Sequence, residues 1–253
     1  FDGKGPYSFM RKTEYATDSV PLGGYGYPVS PNGMICSMFR PSDDATIYPF
    51  LVASNLFAFA SLGQMQSISD AVKAGLDGHA IESLMTQIVT GIDNDAKIET
   101  RNFGKIFAYE VNGYGSHNLM DDANIPSLLS LPYLVPEMDK DPVYKNTRRY
   151  VLSNENPFFF KGKAGEGIGG PHAGVDNIWP LSIAMRGITS TDDKEIKLCL
   201  EMLQRSHAGT GFMHETFHKD DASKYTRPWF AWANTLFGEF VWKVYRERPH
   251  LLN

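Results

Sequence analysis

The stretch "TGFMHETFHKDD", Thr210 to Asp221, contains His214-Glu215-Thr216-Phe217-His218, an H-E-x-x-H pattern. On a helix this pattern sets two imidazoles at i and i+4 on one face, with the glutamate as base for a metal-bound water. On that reading the chain is a zinc metallopeptidase using His214, Glu215 and His218, with Glu239, 21 positions beyond His218, as third ligand. The neighbouring residues oppose it. Gly209 and Gly211 precede the motif and Lys219, Asp220 and Asp221 follow it, and each glycine costs about 1 kcal/mol in a helix interior. Glu215 is then free for acid–base work of another kind.

A second constellation is "FRPSDDA", Phe39 to Ala45, where Asp43 and Asp44 adjoin Arg40. Adjacent carboxylates beside a guanidinium in a loop can yield one tuned acid, the other pairing with the arginine or capping a helix. A solvated cap with an incidental salt bridge is the plainer alternative. In "GIGGPHAGVDNIWP", Gly167 to Pro180, the glycines let backbone approach a ligand, and His172 and Asp176 stand among them. No strand and acidic residue frame these glycines as a dinucleotide site, and a buried, hydrogen-bonded His172 is the alternative. In "YTRPWFAWANTLFGE", Arg227 and Asn234 suit contacts to ligand hydroxyls, whereas Trp229 and Trp232, at i and i+3, read first as core.

These residues must be positioned by helices. Ile81, Leu84, Met85, Ile88 and Ile92 follow helical spacing behind Asp77 as N-cap. The run Ser54 to Lys73 carries a blurrier stripe. In "TDDKEIKLCLEMLQRS", Ile196, Cys199, Leu200 and Leu203 share a face, and Asp192 with Glu195 has capping-box spacing. The run "RPWFAWANTLFGEFVWKVY" is apolar nearly all round, as for a helix buried on several sides, with Pro228 in its first turn. The first fifty residues are rich in Gly, Pro and Ser and predict loops. Strand signal is confined to a hairpin from "KIET" to "KIFAYEV" around Gly104. The pattern predicts an all-α architecture with function in its loops.

Composition narrows the partners. A net charge of −5 leaves no basic face for nucleic acid or anionic membrane surfaces. No apolar run is long enough to span a bilayer. Cys36 and Cys199 are too few for a disulfide framework or a thiolate metal site and read as buried free thiols. The 13% aromatic content suits a cleft that stacks sugar rings, and equally a bulky core. The chain opens on Phe1, in "FDGKGPYSF", like the middle of a longer protein.

The segments "FRPSDDATIYPFLVASNLFA", "YEVNGYGSHNLMDDANIPSLLSLPYL", "TRRYVLSNENPFFFKG" and "GTGFMHETFH" with "YTRPWFAWANTLFGE", in this order, resemble glycoside hydrolase family 125. The resemblance implies an (α/α)6 barrel, here its C-terminal half to two-thirds, with residues 1–253 one catalytic portion. It implies exo-acting α-1,6-mannosidase activity with inversion, no cofactor and no metal, on a mannose-containing oligosaccharide. Asp43 would be the general acid and Glu215 the general base. Inversion requires the two carboxyls about 6.5–9.5 Å apart with a water between. Asp44 would favour the protonated form of Asp43 by like-charge repulsion, and Arg40 is expected on Asp44 or substrate. His172, His214 and Arg227 would meet sugar hydroxyls, and Trp229 would form an apolar wall. The family's N-terminal barrel helices have no counterpart here, so either a separate chain carrying that half is a partner or this chain is a piece of a longer protein. A non-catalytic carbohydrate-binding barrel is the remaining alternative. Enzymes of this type imply a periplasmic or secreted setting.

Overall fold

The computed structural model describes residues 8–252. It divides into two compact units, Phe1–Met120 with Pro126–Thr147, and Asp121–Ile125 with Arg148–Asn253. Among the described residues helix is the dominant regular structure, as the periodicity predicts, but ten short strands in four small antiparallel sheets accompany it. Only one of these sheets was legible in the sequence. The others have strands mostly of two or three residues, too short to show alternation.

The first unit contains α1 (Pro21–Gly24), β1 (Phe50–Leu51), α2 (Val52–Val72), α3 (Gly78–Asp95), β2 (Lys97–Thr100), β3 (Gly104–Phe107), β4 (Glu110–Val111), β5 (His117–Asn118) and α4 (Leu131–Leu134). Asp77 caps α3, its carboxylate accepting from the Ala80 N–H at 3.1 Å, and Ile81, Ile88 and Ile92 turn inward. Helix α2 packs on α3 and stops at Lys73, whose left-handed φ of 55° lets the Ala74 N–H reach the Ser69 carbonyl. The expected hairpin forms, with Ile98 opposite Ile106 and Gly104 supplying the positive φ at its turn. The first fifty residues are largely irregular. Cys36 is exposed, not buried as predicted. Its flanking loop carries no periodicity from which exposure could be read.

The division falls within α5 (Pro142–Val151). The second unit holds β6 (Phe159–Lys161), β7 (Glu166–Ile168), β8 (Asn177–Ile178), α6 (Pro180–Ile188), α7 (Asp193–Ser206), β9 (Thr216–His218), β10 (Asp221–Thr226) and α8 (Ala231–Glu247). Helix α6 is its centre: every residue but Arg186 is buried, and it packs on both α7 and α8. Gly187 permits this, because a Cβ there would collide with the Phe240 ring. Helix α8 departs from expectation. It starts after Pro228, at Ala231, and exposes Trp232, Trp242 and Tyr245 while burying Ala233, Leu236, Phe240 and Val244.

The capping box of α7 is half formed. Asp192 accepts from the Lys194 N–H at 3.0 Å, but Glu195 turns to Arg186 Nε at 2.7 Å, Arg148 Nη2 at 2.9 Å and the Ser190 hydroxyl at 2.6 Å. Arg186 also donates to Glu166 at 2.8 Å. Burial raises the Glu195 carboxyl, but the Ser190 and Arg186 hydrogen bonds and the Arg148 charge outweigh it and hold it below its ordinary 4.5. A carboxyl depressed on folding contributes stability that is complete above the unfolded value and lost as pH falls through the folded one. The urea midpoint of this unit is therefore expected to be flat above about pH 5 and to fall below it. The fall should be shallower in Glu195→Gln, which a urea titration at stepped pH checks.

Candidate active site

The residues singled out in the sequence gather into one group in each unit. In the first, Pro41 and Ser42 form a tight turn closed by the Asp43 N–H on the Arg40 carbonyl at 3.0 Å. The Arg40 N–H reaches the Asp44 carbonyl at 2.7 Å, and Phe39 bridges Ala45. Such a turn ends in a left-handed residue, and Asp43 fills that place with φ 69°. Aspartate tolerates this region better than most residues, and the geometry lifts its side chain to an exposed position. The enclosing setting that a protonated Asp43 needs is not supplied by this unit. Glycine occupies the same backbone without strain, so Asp43→Gly is expected to melt at or slightly above the parent temperature in a calorimetric scan.

The turn is anchored beneath. Arg40 is buried, and its Nε and Nη2 donate to Glu110 Oε1 and Oε2 at 2.7 and 3.0 Å, a bidentate pair with the guanidinium 5.5 Å from the Tyr109 ring centre. Glu110 also accepts from Asn118 Nδ2 at 3.1 Å. Asp44 is buried and accepts from the Ser42 hydroxyl at 2.9 Å. The sequence placed Arg40 on Asp44 or substrate; Glu110, 70 positions away, takes two donors of its fork. Glu110 gave no signal, since a lone carboxylate in "FAYEV" reads as a strand residue.

In the second unit Glu215 lies on an extended segment entering β9, its N–H on the Thr226 carbonyl at 3.2 Å. Its side chain is 10% exposed and meets Arg227 Nε at 3.3 Å. Arg227 holds a left-handed φ of 43°, is 62% exposed, and lies over the Phe230 ring at 5.6 Å. His214 is 1% exposed, its Nδ1 3.0 Å from the Pro228 carbonyl and its ring stacked on Tyr225 at 3.9 Å and 7°. Asn234, read as a ligand contact, is instead a clamp: its amide bonds both the N–H and the carbonyl of Met213, so α8 fixes the segment that carries His214 and Glu215.

The last three of the H-E-x-x-H residues form β9, paired with β8 and β10, and none of the five is helical. Imidazoles at i and i+4 of a strand do not stand one above the other as they do on a helix. His218 Nδ1 accepts from the Asp220 N–H at 3.2 Å, and Glu239 is exposed on α8. Among the described residues no three His, Cys, Asp or Glu side chains converge as a metal would require. The zinc reading fails on this geometry.

Aromatic rings complete the group. Phe230 meets Trp179 edge-on at 5.9 Å and Trp232 at 5.7 Å, and the Trp179 ring lies 6.3 Å from His172. His172 is exposed, which removes the buried alternative for it. Trp229 and Trp232 are 56% and 53% exposed, so they are not core. The real core tryptophan, Trp179, stood unremarked in "NIWP". No described helix is long and apolar enough to cross a membrane.

A mostly helical chain with its polar chemistry on the connecting loops has the make-up of an α/α-type fold. The chain belongs to glycoside hydrolase family 125, described as metal-independent alpha-mannosidase, whose sequence profile matches residues 2–242. It is similar to the Meiotically up-regulated gene 157 protein of Schizosaccharomyces pombe (strain 972 / ATCC 24843), 44% identical over 97% of this chain and 49% of that protein. It is also similar to a solved Streptococcus pneumoniae structure, described as that of a metal-independent α-mannosidase in a non-productive complex with α-1,6-mannobiose. That match has a TM-score of 0.91 and 41% identity over 96% of this chain and 58% of the other. The chain spans about half the length of the first relative and under two-thirds of the second.

Proposed function

We propose that the protein to which this chain contributes is an exo-acting α-1,6-mannosidase that hydrolyses its substrate with inversion, through Asp43 as general acid and Glu215 as general base. The observation that carries this reading is the family membership over nearly the whole chain. The similarity to a mannosidase solved with α-1,6-mannobiose supports the linkage. The burial of Glu215 beside Arg227, whose guanidinium lies over the Phe230 ring, fits a base that works beside a sugar. In the mechanism, Glu215 takes a proton from water as that water attacks the anomeric carbon, and Asp43 gives its proton to the departing glycosidic oxygen. Arg227 orients the Glu215 carboxylate, while Arg40 and Asp44 hold the turn that presents Asp43. His172 and Trp229, both exposed, are available to a sugar's hydroxyls and apolar face.

Residues 1–253 serve on this reading as one catalytic portion of an (α/α)6 barrel. Exposed apolar residues on two helices, Phe57, Met65, Ile68 and Val72 of α2 and Trp232, Trp242 and Tyr245 of α8, suit coverage by further barrel helices. The greater length of the relatives supports such a segment, whether on the same polypeptide or on a separate chain. Release of free mannose from α-1,6-mannobiose by the intact protein tests the activity. Absence of release, with the substrate bound and unchanged, would favour a carbohydrate-binding role.

A further inference from the structure

The side-chain amide of Asn234, on α8, serves two separate stretches of backbone. Its Oδ1 accepts from the Met213 N–H at 3.1 Å, and its Nδ2 donates to the Met213 and Phe230 carbonyls, each at 2.8 Å. Both amide hydrogens are engaged with backbone, so neither is left for a ligand hydroxyl. The Phe230 N–H adds a further bond to the Met213 carbonyl at 3.1 Å. One half-buried side chain thus ties the arm leading into Glu215 to the arm leading away from Arg227.

The second arm depends on such a tie. Arg227 stands at φ 43°, a region costly for any residue with a Cβ, and the following Pro228 restricts it further. Backbone of this kind persists only where the surroundings fix it from several sides. Residues 223–229 are all exposed, so their own burial contributes little to holding them. They are held instead by bonds to the opposite arm. The Glu215 N–H reaches the Thr226 carbonyl at 3.2 Å, His214 Nδ1 donates to the Pro228 carbonyl at 3.0 Å, and Asn234 joins Phe230 to Met213. The Arg227 Nε contact to Glu215 Oε1, at 3.3 Å, lies between the first of these ties and the last.

Resting on the mannosidase reading, we infer that Asn234 is a positioning residue for the reaction: it sets the separation of the two arms, and with it the placement of the Glu215 carboxylate against Arg227 and the attacking water. Its effect on the chemistry passes through Glu215. A base must lie within hydrogen-bond reach of the proton it takes, and a displacement of about 1 Å costs on the order of 10²-fold in rate. The loss falls on kcat, because a misplaced base leaves the ground-state contacts to the sugar in place.

The test is a double-mutant cycle in the intact protein acting on α-1,6-mannobiose. Asn234→Ala removes the whole tie. Asn234→Asp keeps the size and the acceptor for the Met213 N–H but loses both donors, and it carries the test where the alanine variant does not fold. Each is expected to lower kcat by about 10–10²-fold, with KM within about threefold of the parent, at a temperature where circular dichroism shows it folded. In the Glu215→Gln background the same substitutions should cost less than about threefold more, because residues that act as a unit lose their effects non-additively. Parent-like kcat in the folded variants overturns the inference and leaves the tie a purely structural feature. Equal fold-losses in the two backgrounds also overturn it, since Asn234 would then act without Glu215. A raised KM at unchanged kcat would make Asn234 a ligand contact and overturn it likewise. Absence of mannose release by the parent is a different result: it overturns the hydrolase reading, and this inference with it.

Discussion

Glu215→Gln in the intact protein is expected to lower kcat/KM on α-1,6-mannobiose by about 10²–10⁴-fold, the range of a lost general base, with the unfolding free energy unchanged within about 1 kcal/mol. The two expectations have separate causes. The glutamine keeps the size and hydrogen-bonding capacity of the side chain but cannot take a proton from water. The contact it weakens, Glu215 with Arg227 at 3.3 Å, involves a guanidinium that is 62% exposed, and ion pairs of that kind contribute about 0–1 kcal/mol. Asp43→Asn should show a comparable loss on mannobiose but a much smaller one on an aryl mannoside whose phenol leaves without protonation. Glu215→Gln should fail on both. Equal sensitivity of the two variants to the leaving group would show that the acid and base have been assigned wrongly.

Glu110→Ala is expected to have the largest effect on stability, lowering the unfolding free energy by about 3–5 kcal/mol, because it removes the bidentate partner of a buried guanidinium. The Arg40 and Glu110 side chains are 3% and 0% exposed and joined by two hydrogen bonds. Solvent cannot replace the lost partner. Urea denaturation would read the loss as a lower midpoint, and a midpoint equal to the parent's would contradict the account. Replacing both partners, Arg40→Met with Glu110→Leu, should recover most of the stability by removing the buried charge together with its partner. Recovery should be incomplete, because Asn118 Nδ2 also loses its acceptor. Because the pair anchors the turn that carries Asp43, Glu110→Ala should lose turnover even at temperatures where it remains folded.

The reach of the sequence differs sharply between these residues. Helix α3 was legible from Asp77 to Ile92 because its core contacts repeat every turn and its cap is local. The hairpin at Gly104 was legible for the same reason, its signal lying within a dozen residues. The carboxylates proposed as acid and base stood out as motifs, but their surroundings did not. Arg40 and Glu110 are 70 positions apart, and nothing in either neighbourhood specifies the other. The H-E-x-x-H pattern has helical spacing and strand geometry, because pairing of Phe217 with both Ile178 and Tyr225 outweighs local preference. Helix α8 misled in the opposite direction. Its apolar residues surround the axis, yet Trp242 and Tyr245 stack on one another at 5.7 Å in the open, a consequence of which neighbours the described chain supplies.

The most direct measurement is proton NMR of the intact protein acting on α-1,6-mannobiose, followed from the first minutes before the released sugar mutarotates. A general acid and a general base working across a water require the new mannose to appear first as the β-anomer, with the linkage identified by the signal that disappears. First appearance of the α-anomer, or no mannose at all, would contradict the roles given to Asp43 and Glu215.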